Sequence, residues 1–161
     1  MLIKLGKFMR ILGLDTEFAD NSISDDIVMD RALETDRVLI TMDKSLYQRM
    51  IKQTKKVIFI NTKSLDTQLV IIFTKSRMKF PSEDIDDPLS YNSRCSSCNT
   101  ILKVIPKENL KEKIPEQSYA AFDHFWKCTN DECGKIYWRG SHWERIRKIF
   151  EVVRNELKLN I

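Results

Sequence analysis

The sequence contains little glycine, proline, cysteine or histidine, with 4, 4, 4 and 2 residues of each among 161. This scarcity excludes a low-complexity or collagen-like chain, and 42% hydrophobic with 31% charged residues is typical of a folded protein. There is no apolar run of about 18 residues, so no transmembrane helix is predicted. The first residues lack the apolar core and cleavage site of a secretory signal. We therefore expect a cytoplasmic protein without a membrane partner.

The few cysteines fall into two short-spaced pairs, Cys95 with Cys98 and Cys128 with Cys133. Together they provide the full ligand set of one tetrahedral zinc ion, with none missing and none spare. Gly134 follows the second pair, where a positive φ allows backbone amides to face the thiolates. Two disulfides or four buried apolar cysteines are the alternatives, but nothing in the sequence indicates an oxidising compartment. We predict a structural Zn²⁺ site formed by all four cysteines.

Positive charge is concentrated towards the end of the chain. Residues 1–93 contain 14 basic and 14 acidic side chains, whereas residues 94–161 contain 13 and 9, which accounts for the net charge of +4. Phosphate backbones are the usual partners of such a basic segment. A solvated basic face without a ligand explains the charge equally well.

Cations in this segment alternate with flat rings, a combination typical of surfaces that bind single-stranded RNA. The three tryptophans are equally well explained as a small core of the cysteine-containing module. The candidate RNA contacts are Lys135, Tyr137, Arg139, His142, Trp143 and Arg145, together with Arg10 near the N-terminus.

Hydrophobic periodicity predicts helices over residues 1–12, 44–53, 65–73 and 143–157, a further helix that begins within residues 22–26, and a small one around 107–113. Gly13 is placed to end the first helix. Apolar runs at 38–40 and 57–60 predict strands buried on both faces. Helices that alternate with such strands indicate an α/β fold with a parallel sheet covered on both sides. The second helix is expected to bury Ile27, Val28, Ala32 and Leu33.

Composition divides the chain into two modules. Residues 1–80 carry the alternating helices and strands, and residues 81–93 are acidic and proline-flanked, as a linker is. Residues 94–161 form the predicted zinc ribbon with its closing helix, and segments 101–105 and 135–139 are the expected ribbon strands.

Three acidic residues are candidates for a second metal site. Asp43 directly follows the buried run 38–40, and ligands of parallel sheets bind beyond the carboxyl ends of the strands. Asp25 and Asp26 begin a helix. Mg²⁺ prefers carboxylate oxygens, but helix capping explains the same acids, so the residues alone leave the choice open.

A resemblance favours the metal site. The runs 1–16, 23–26 and 37–43, the motif Cys-Ser-Ser-Cys and the closing string 137–145, Tyr-Trp-Arg-Gly-Ser-His-Trp-Glu-Arg, resemble the PIN-like RNase domains with a C-terminal zinc ribbon, known as the mut-seven carboxy-terminal RNase domain. The resemblance implies a PIN-like three-layer α/β/α sandwich. It also implies an endoribonuclease dependent on Mg²⁺ or Mn²⁺, with catalytic acids at Asp25 and Asp43 and with Asp26 as a further candidate.

The resemblance also implies a first strand that ends in an aspartate, directly before the helix that starts here at Met1, and this sequence contains neither. Either the recorded start is late, or the chain lacks one metal ligand and is a non-catalytic protein that binds RNA, rRNA or the ribosome. A protein partner, or the tail 157–161 as a strand, is expected to fill the place of that strand. Whether the chain is an enzyme is therefore left open.

Overall fold

The computed structural model of the chain describes residues 2–20, 22–81 and 86–159, with the side chain of Leu159 excluded. Predictions that fall on Met1, on linker residues 82–85 and on tail residues 160–161 lie outside these ranges. The elements, in chain order, are helix α1 (Ile3–Ile11), α2 (Asp25–Glu34), strand β1 (Leu39–Thr41), α3 (Lys44–Met50), β2 (Val57–Phe59), α4 (Leu65–Ser76), β3 (Leu102–Val104), a 3-10 helix (Lys107–Leu110), α5 (Glu116–Ala121), β4 (Phe125–Cys128), β5 (Ile136–Trp138) and α6 (Ser141–Leu159).

The N-terminal part is α/β, with a small parallel sheet. Strand β1 pairs with β2 in parallel, with Leu39 opposite Val57. The prediction that residues 38–40 are buried on both faces is wrong, since Val38 is 42% exposed and Leu39 only half-buried. The physical reason is that, among the described residues, this sheet has two strands, so β1 is an edge strand.

Helices α1, α4 and α6 share the largest hydrophobic cluster. The first helix contributes the predicted apolar face, and α6 contributes a row at helical spacing, as its periodicity predicted. Helix α6 was predicted to belong to the cysteine module, residues 94–161, but it packs mainly on α4. The division into residues 1–80 and 94–161 stays a prediction. The buried members of the cluster are Leu5, Phe8, Met9, Leu12, Ile58, Ile60, Leu69, Ile72, Phe73, Ile146, Phe150 and Val153.

Helix α2 buries a narrower face than its sequence predicts. Met29 and Ala32, three residues apart, pack with residues of α3 and β2. Ile27 is 54% exposed and Leu33 is 37% exposed, so the prediction that these two are buried is wrong. Each residue of an α-helix turns the chain by about 100°. Ile27 is two residues from Met29 and therefore points away from the buried row, whereas Leu33 is one residue from Ala32 and lies at the edge of that row.

The C-terminal part contains a three-stranded antiparallel sheet in the order β3, β4, β5. The helix predicted around 107–113 is instead the short 3-10 helix, followed by α5. Helix α5 was missed because it has no buried residue and therefore no apolar periodicity.

Hydrogen bonds from α1 hold the two parts together. The Arg10 guanidinium donates to the carbonyl oxygens of Ser96 and Ser97, at 3.2 and 2.8 Å from Nη1. The backbone N–H of Arg94 donates in turn to the Arg10 carbonyl. Gly13 ends α1 with a φ of +83°, and a Cβ there would lie 2.1 Å from the Tyr91 carbonyl oxygen. The predicted linker is therefore packed against α1 where it is described.

The strand predicted for the tail is not formed in the described residues. Helix α6 continues through Leu157 to Leu159, because Val153 and Leu157 extend its apolar row onto the first cluster. None of the helices described here combines the length and the apolar character needed to cross a bilayer.

Candidate metal and nucleic-acid sites

The four cysteines converge at one end of the three-stranded sheet. Their Sγ atoms all lie within 4.8 Å of one another, and all four thiols are free of disulfides. The Sγ atoms of Cys95 and Cys133 are 3.7 Å apart, and those of Cys98 and Cys128 are 3.3 Å apart. Tetrahedral zinc with Zn–S bonds of about 2.3 Å requires sulfur separations of about 3.8 Å. The donor set therefore fits a four-cysteine metal site.

Both cysteine turns end in a residue with positive φ. Gly134 has a φ of +53°, as predicted, and its N–H donates to the Asn130 carbonyl. In the first turn Asn99 takes the equivalent position with a φ of +74° and donates to the Cys95 carbonyl. Asparagine enters this region more readily than most residues, which is the signal that sequence reasoning missed.

Burial and hydrogen bonding move the pKa values of two of the thiols in opposite directions. Burial raises the pKa of Cys128 to about 12. Burial works in the same direction on Cys98, but its hydrogen bonds with Thr100 and with Cys128 lower its pKa to about 6. A metal ion requires all four as thiolates, so binding would release protons. The Tyr137 hydroxyl lies 3.1 Å from Cys95 Sγ, where burial raises its pKa.

The candidate catalytic acids lie on α2 and α3. Asp25 and Asp26 occupy the first turn of α2, whose N-cap is Ser24. Arg49 of α3 pairs with both, at 3.8 Å from Asp25 and in direct contact with Asp26. Among the described residues, the cysteines are the one group of three or more ligands close enough to share a metal. The described carboxylates therefore do not form a cage for a metal ion.

Asp43 caps helix α3. Its Oδ1 accepts a hydrogen bond of 2.9 Å from the Leu46 N–H, and its own N–H donates to Thr41 Oγ1. In the described part of the chain its Oδ2 has no hydrogen-bond partner. One or two carboxylates together with substrate phosphate are a usual magnesium environment, so Asp43 fits a cation shared with a bound phosphate rather than one held by protein alone.

A cavity of about 800 Å³ lies between α1 and the cysteine module. Three of the predicted RNA contacts line it, namely Tyr137, His142 and Trp143. Lys135 instead donates to Ser97 Oγ at 2.9 Å, and Arg139 lies 5.9 Å from the centroid of the Trp126 ring.

Two predicted RNA contacts lie away from this cavity. Arg145 is exposed on α6 and does not line it. The prediction that Arg10 contacts RNA is corrected by the structure, because Arg10 is 5% exposed and its guanidinium bonds to three backbone carbonyls.

The structure adds lining residues that the sequence reasoning did not select. Lys4 and Lys7 project from the solvent side of α1 into the cavity wall, and Phe122 follows α5. The sequence does show that Lys4 and Lys7, three residues apart, share one face of the helix. That α1 lies opposite the cysteine module is a tertiary fact without a local signature.

The structure thus joins an α/β unit to four cysteines that could hold a metal ion and to a cavity lined by cationic and aromatic side chains. The chain belongs to the Mut7-C RNAse domain family, whose model matches residues 1–150. Comparison with curated proteins found no match. Comparison with solved structures found none either. The family relation confirms the resemblance and indicates a ribonuclease-type or RNA-related function.

Proposed function

We propose that this protein is an endoribonuclease that cleaves single-stranded RNA with Mg²⁺ or Mn²⁺. Membership of the Mut7-C RNAse domain family is the observation that carries the proposal. Asp43, at the carboxyl end of β1, would hold the cation together with an RNA phosphate. Asp25 and Asp26 would join it once Arg49, which pairs with both of them, turns to the substrate. A bound divalent cation supplies charge neutralisation at the scissile phosphate and lowers the pKa of attacking water.

The protein's own residues have separate tasks in this proposal. Arg49 would exchange its carboxylate partners for a phosphate, which a guanidinium binds through two parallel hydrogen bonds. The cysteine module would hold zinc at Cys95, Cys98, Cys128 and Cys133 and grip the strand beside the acidic residues. A PIN-like three-layer fold, a cytoplasmic location and contact with rRNA or the ribosome are further parts of the proposal.

The Asp43→Asn substitution is expected to reduce metal-dependent cleavage of a labelled single-stranded RNA by at least about a hundredfold, because it removes the charge that attracts the cation. Asparagine is as good an N-cap as aspartate, so α3 should keep its cap and the protein its stability. Cleavage rates with manganese and the denaturation midpoint would be measured together.

Asp30→Asn is the matched control, since Asp30 is an exposed acid on α2 outside the proposed site. Its rate should equal that of the unaltered protein. If Asp43→Asn cleaves RNA as fast as Asp30→Asn does, Asp43 is not a catalytic acid and the proposed mechanism is wrong.

A non-catalytic RNA-binding role is the second candidate. The observation that favours it is the pairing of Arg49 with both Asp25 and Asp26, which leaves Asp43 as the one acid of the three without a cationic partner among the described residues. This role requires RNA binding without cleavage when either metal is supplied.

RNA affinity is expected to fall steeply with salt, because lysines and arginines that contact phosphates release condensed counterions. With three phosphate contacts, the slope of log K against log salt is about −2 for a single strand. Fluorescence anisotropy of a labelled RNA between 50 and 200 mM salt (roughly the range in which such slopes are measured) would give this slope. RNA affinity that does not change with salt would exclude RNA binding through the basic residues of the cysteine module.

A further inference from the structure

We propose that the cavity between α1 and the cysteine module binds one unpaired nucleotide of an RNA strand, with the base against the aromatic wall and the phosphate against Lys4 and Lys7. The inference rests on the proposed RNA-related function and names the place on the protein where a base is held. It does not depend on cleavage.

The shape of the cavity suits a nucleotide unit. Its volume of about 800 Å³ lies within the range of small-molecule sites, about 300–1,000 Å³. Its walls come from α1, segment 88–96, α5, β4, β5 and the start of α6. A strand of RNA can therefore enter from the open side while one base is held inside.

One wall is aromatic. All three tryptophans of the chain line the cavity, and Tyr137 and Phe122 stand beside them. Trp138 is half-buried, so part of its ring is free to contact a ligand, and Phe122 is half-buried as well. Stacking on such rings contributes about 1–3 kcal/mol per base and is tolerant of sequence.

The described lining also contains cations. Lys4 and Lys7 are exposed and lie on one face of α1, and neither has an ion-pair partner in the ranges that the structure describes. Arg94 and His142 also line the cavity, and no aspartate or glutamate of the described residues lines it, although the Asp86 carboxylate accepts a hydrogen bond from Trp143 Nε1. Charge complementarity therefore favours a phosphate-bearing ligand over a neutral or cationic one.

A second cavity gives an internal comparison. It has about 620 Å³ and lies between α1, α2 and β1, with Asp15, Glu17 and Asp20 in its lining. Its cations are already neutralised, since Arg37 pairs with both Asp15 and Glu17. The unpaired lysines and the tryptophans thus line the same cavity, the first one. This supports a specific binding site rather than a surface that is basic throughout.

The polar groups of the lining can contact a base edge. Gln117 and Ser118 of α5 also line the cavity, and a glutamine amide both donates and accepts hydrogen bonds. Single-stranded RNA exposes the base edges that such side chains bind. The lining thus offers a group for each part of a nucleotide.

The test uses the tryptophans as the reporter. A single-stranded oligouridine RNA is titrated into the full chain without added magnesium or manganese, and intrinsic tryptophan fluorescence is followed. Quenching that saturates with RNA is expected, because all three fluorophores line the proposed site. Phe122→Ala is expected to weaken binding roughly tenfold, the loss of one stacked base.

The double variant Lys4→Gln/Lys7→Gln is expected to weaken binding at least about tenfold and to flatten the salt slope by about 1.4 for a single strand. The matched control is Lys52→Gln/Lys55→Gln, which removes two exposed lysines far from the lining. Denaturation midpoints of all variants would be compared, so that misfolding is separated from loss of binding.

Two results would overturn the inference. RNA that binds without changing tryptophan fluorescence lies elsewhere on the protein. An equal loss of affinity in the two lysine variants would mean that binding follows net charge alone. Because no divalent cation is added, saturable quenching together with failed cleavage would sink the proposed nuclease while leaving this site intact.

Discussion

Replacing Cys128 with serine is expected to leave the protein without bound zinc and to unfold the three-stranded sheet. Cys128 is fully buried at the end of β4, where its Sγ meets that of Cys98. A serine hydroxyl stays protonated and is a poor replacement for a thiolate ligand. Structural zinc contributes about 10–16 kcal/mol of apparent binding free energy in small modules, which is comparable to the total stability of a domain, about 5–15 kcal/mol.

The core of this module is too small to replace that contribution. Its buried cluster consists of Cys95, Cys128, Leu102 and Trp126, two of which are the predicted metal ligands. Metal content per chain, measured by mass spectrometry, and near-ultraviolet circular dichroism would follow the change. One zinc per chain is expected for the unaltered protein.

Ser97→Ala is the matched control, because Ser97 lies between two of the predicted ligands and its carbonyl, which the substitution keeps, accepts from Arg10, while its hydroxyl makes one exposed contact with Lys135. The variant should keep its zinc and its fold. If Cys128→Ser keeps a full equivalent of zinc, or if the unaltered protein purified with zinc holds none, the site is not a zinc site.

Truncating Phe150 to alanine is expected to destabilise the protein by about 3–5 kcal/mol, the usual cost of removing a buried phenyl ring. Phe150 is fully buried on α6 and contacts Phe8 and Phe80 edge to face, with ring centroids 6.0 and 6.2 Å apart. It therefore joins the last helix to the first. Chemical denaturation would give the free energy of unfolding.

Val152→Ala provides the control on the same helix. Val152 is 45% exposed, so its truncation should change stability by only about 0.5 kcal/mol. If Phe150→Ala also changes the free energy of unfolding by only about 0.5 kcal/mol, α6 does not share a core with α1 and α4, contrary to the packing described.

The elements with strong local patterns could be predicted from the sequence. Helices α1 and α6 each place an apolar row at helical spacing, and Gly13 ends the first of them where it was expected. The cysteine pairs could be joined because four thiols form one complete ligand set. These features depend on a few residues that act over one helix turn or through one metal ion.

Features that depend on tertiary position could not be predicted. Arg10 has the sequence context of a surface cation. It is nevertheless buried, and its guanidinium donates to the Ser96 and Ser97 carbonyls of the first cysteine turn. Ile27 is the opposite case: it is apolar but faces solvent, because α2 packs through Met29 and Ala32 instead. The pairing of Arg49 with the acids of α2 also spans two helices and has no local signal.

The hydrogen bonds from Arg10 to the Ser96 and Ser97 carbonyls would couple metal binding by the four cysteines to the order of α1. Both carbonyls belong to the loop between two metal ligands, so α1 orders the loop that a metal needs. Reciprocity of linked equilibria requires the metal to return the same free energy to α1. If the four cysteines bind zinc, loss of the metal would therefore weaken the attachment of α1 as well as the order of the cysteine loop.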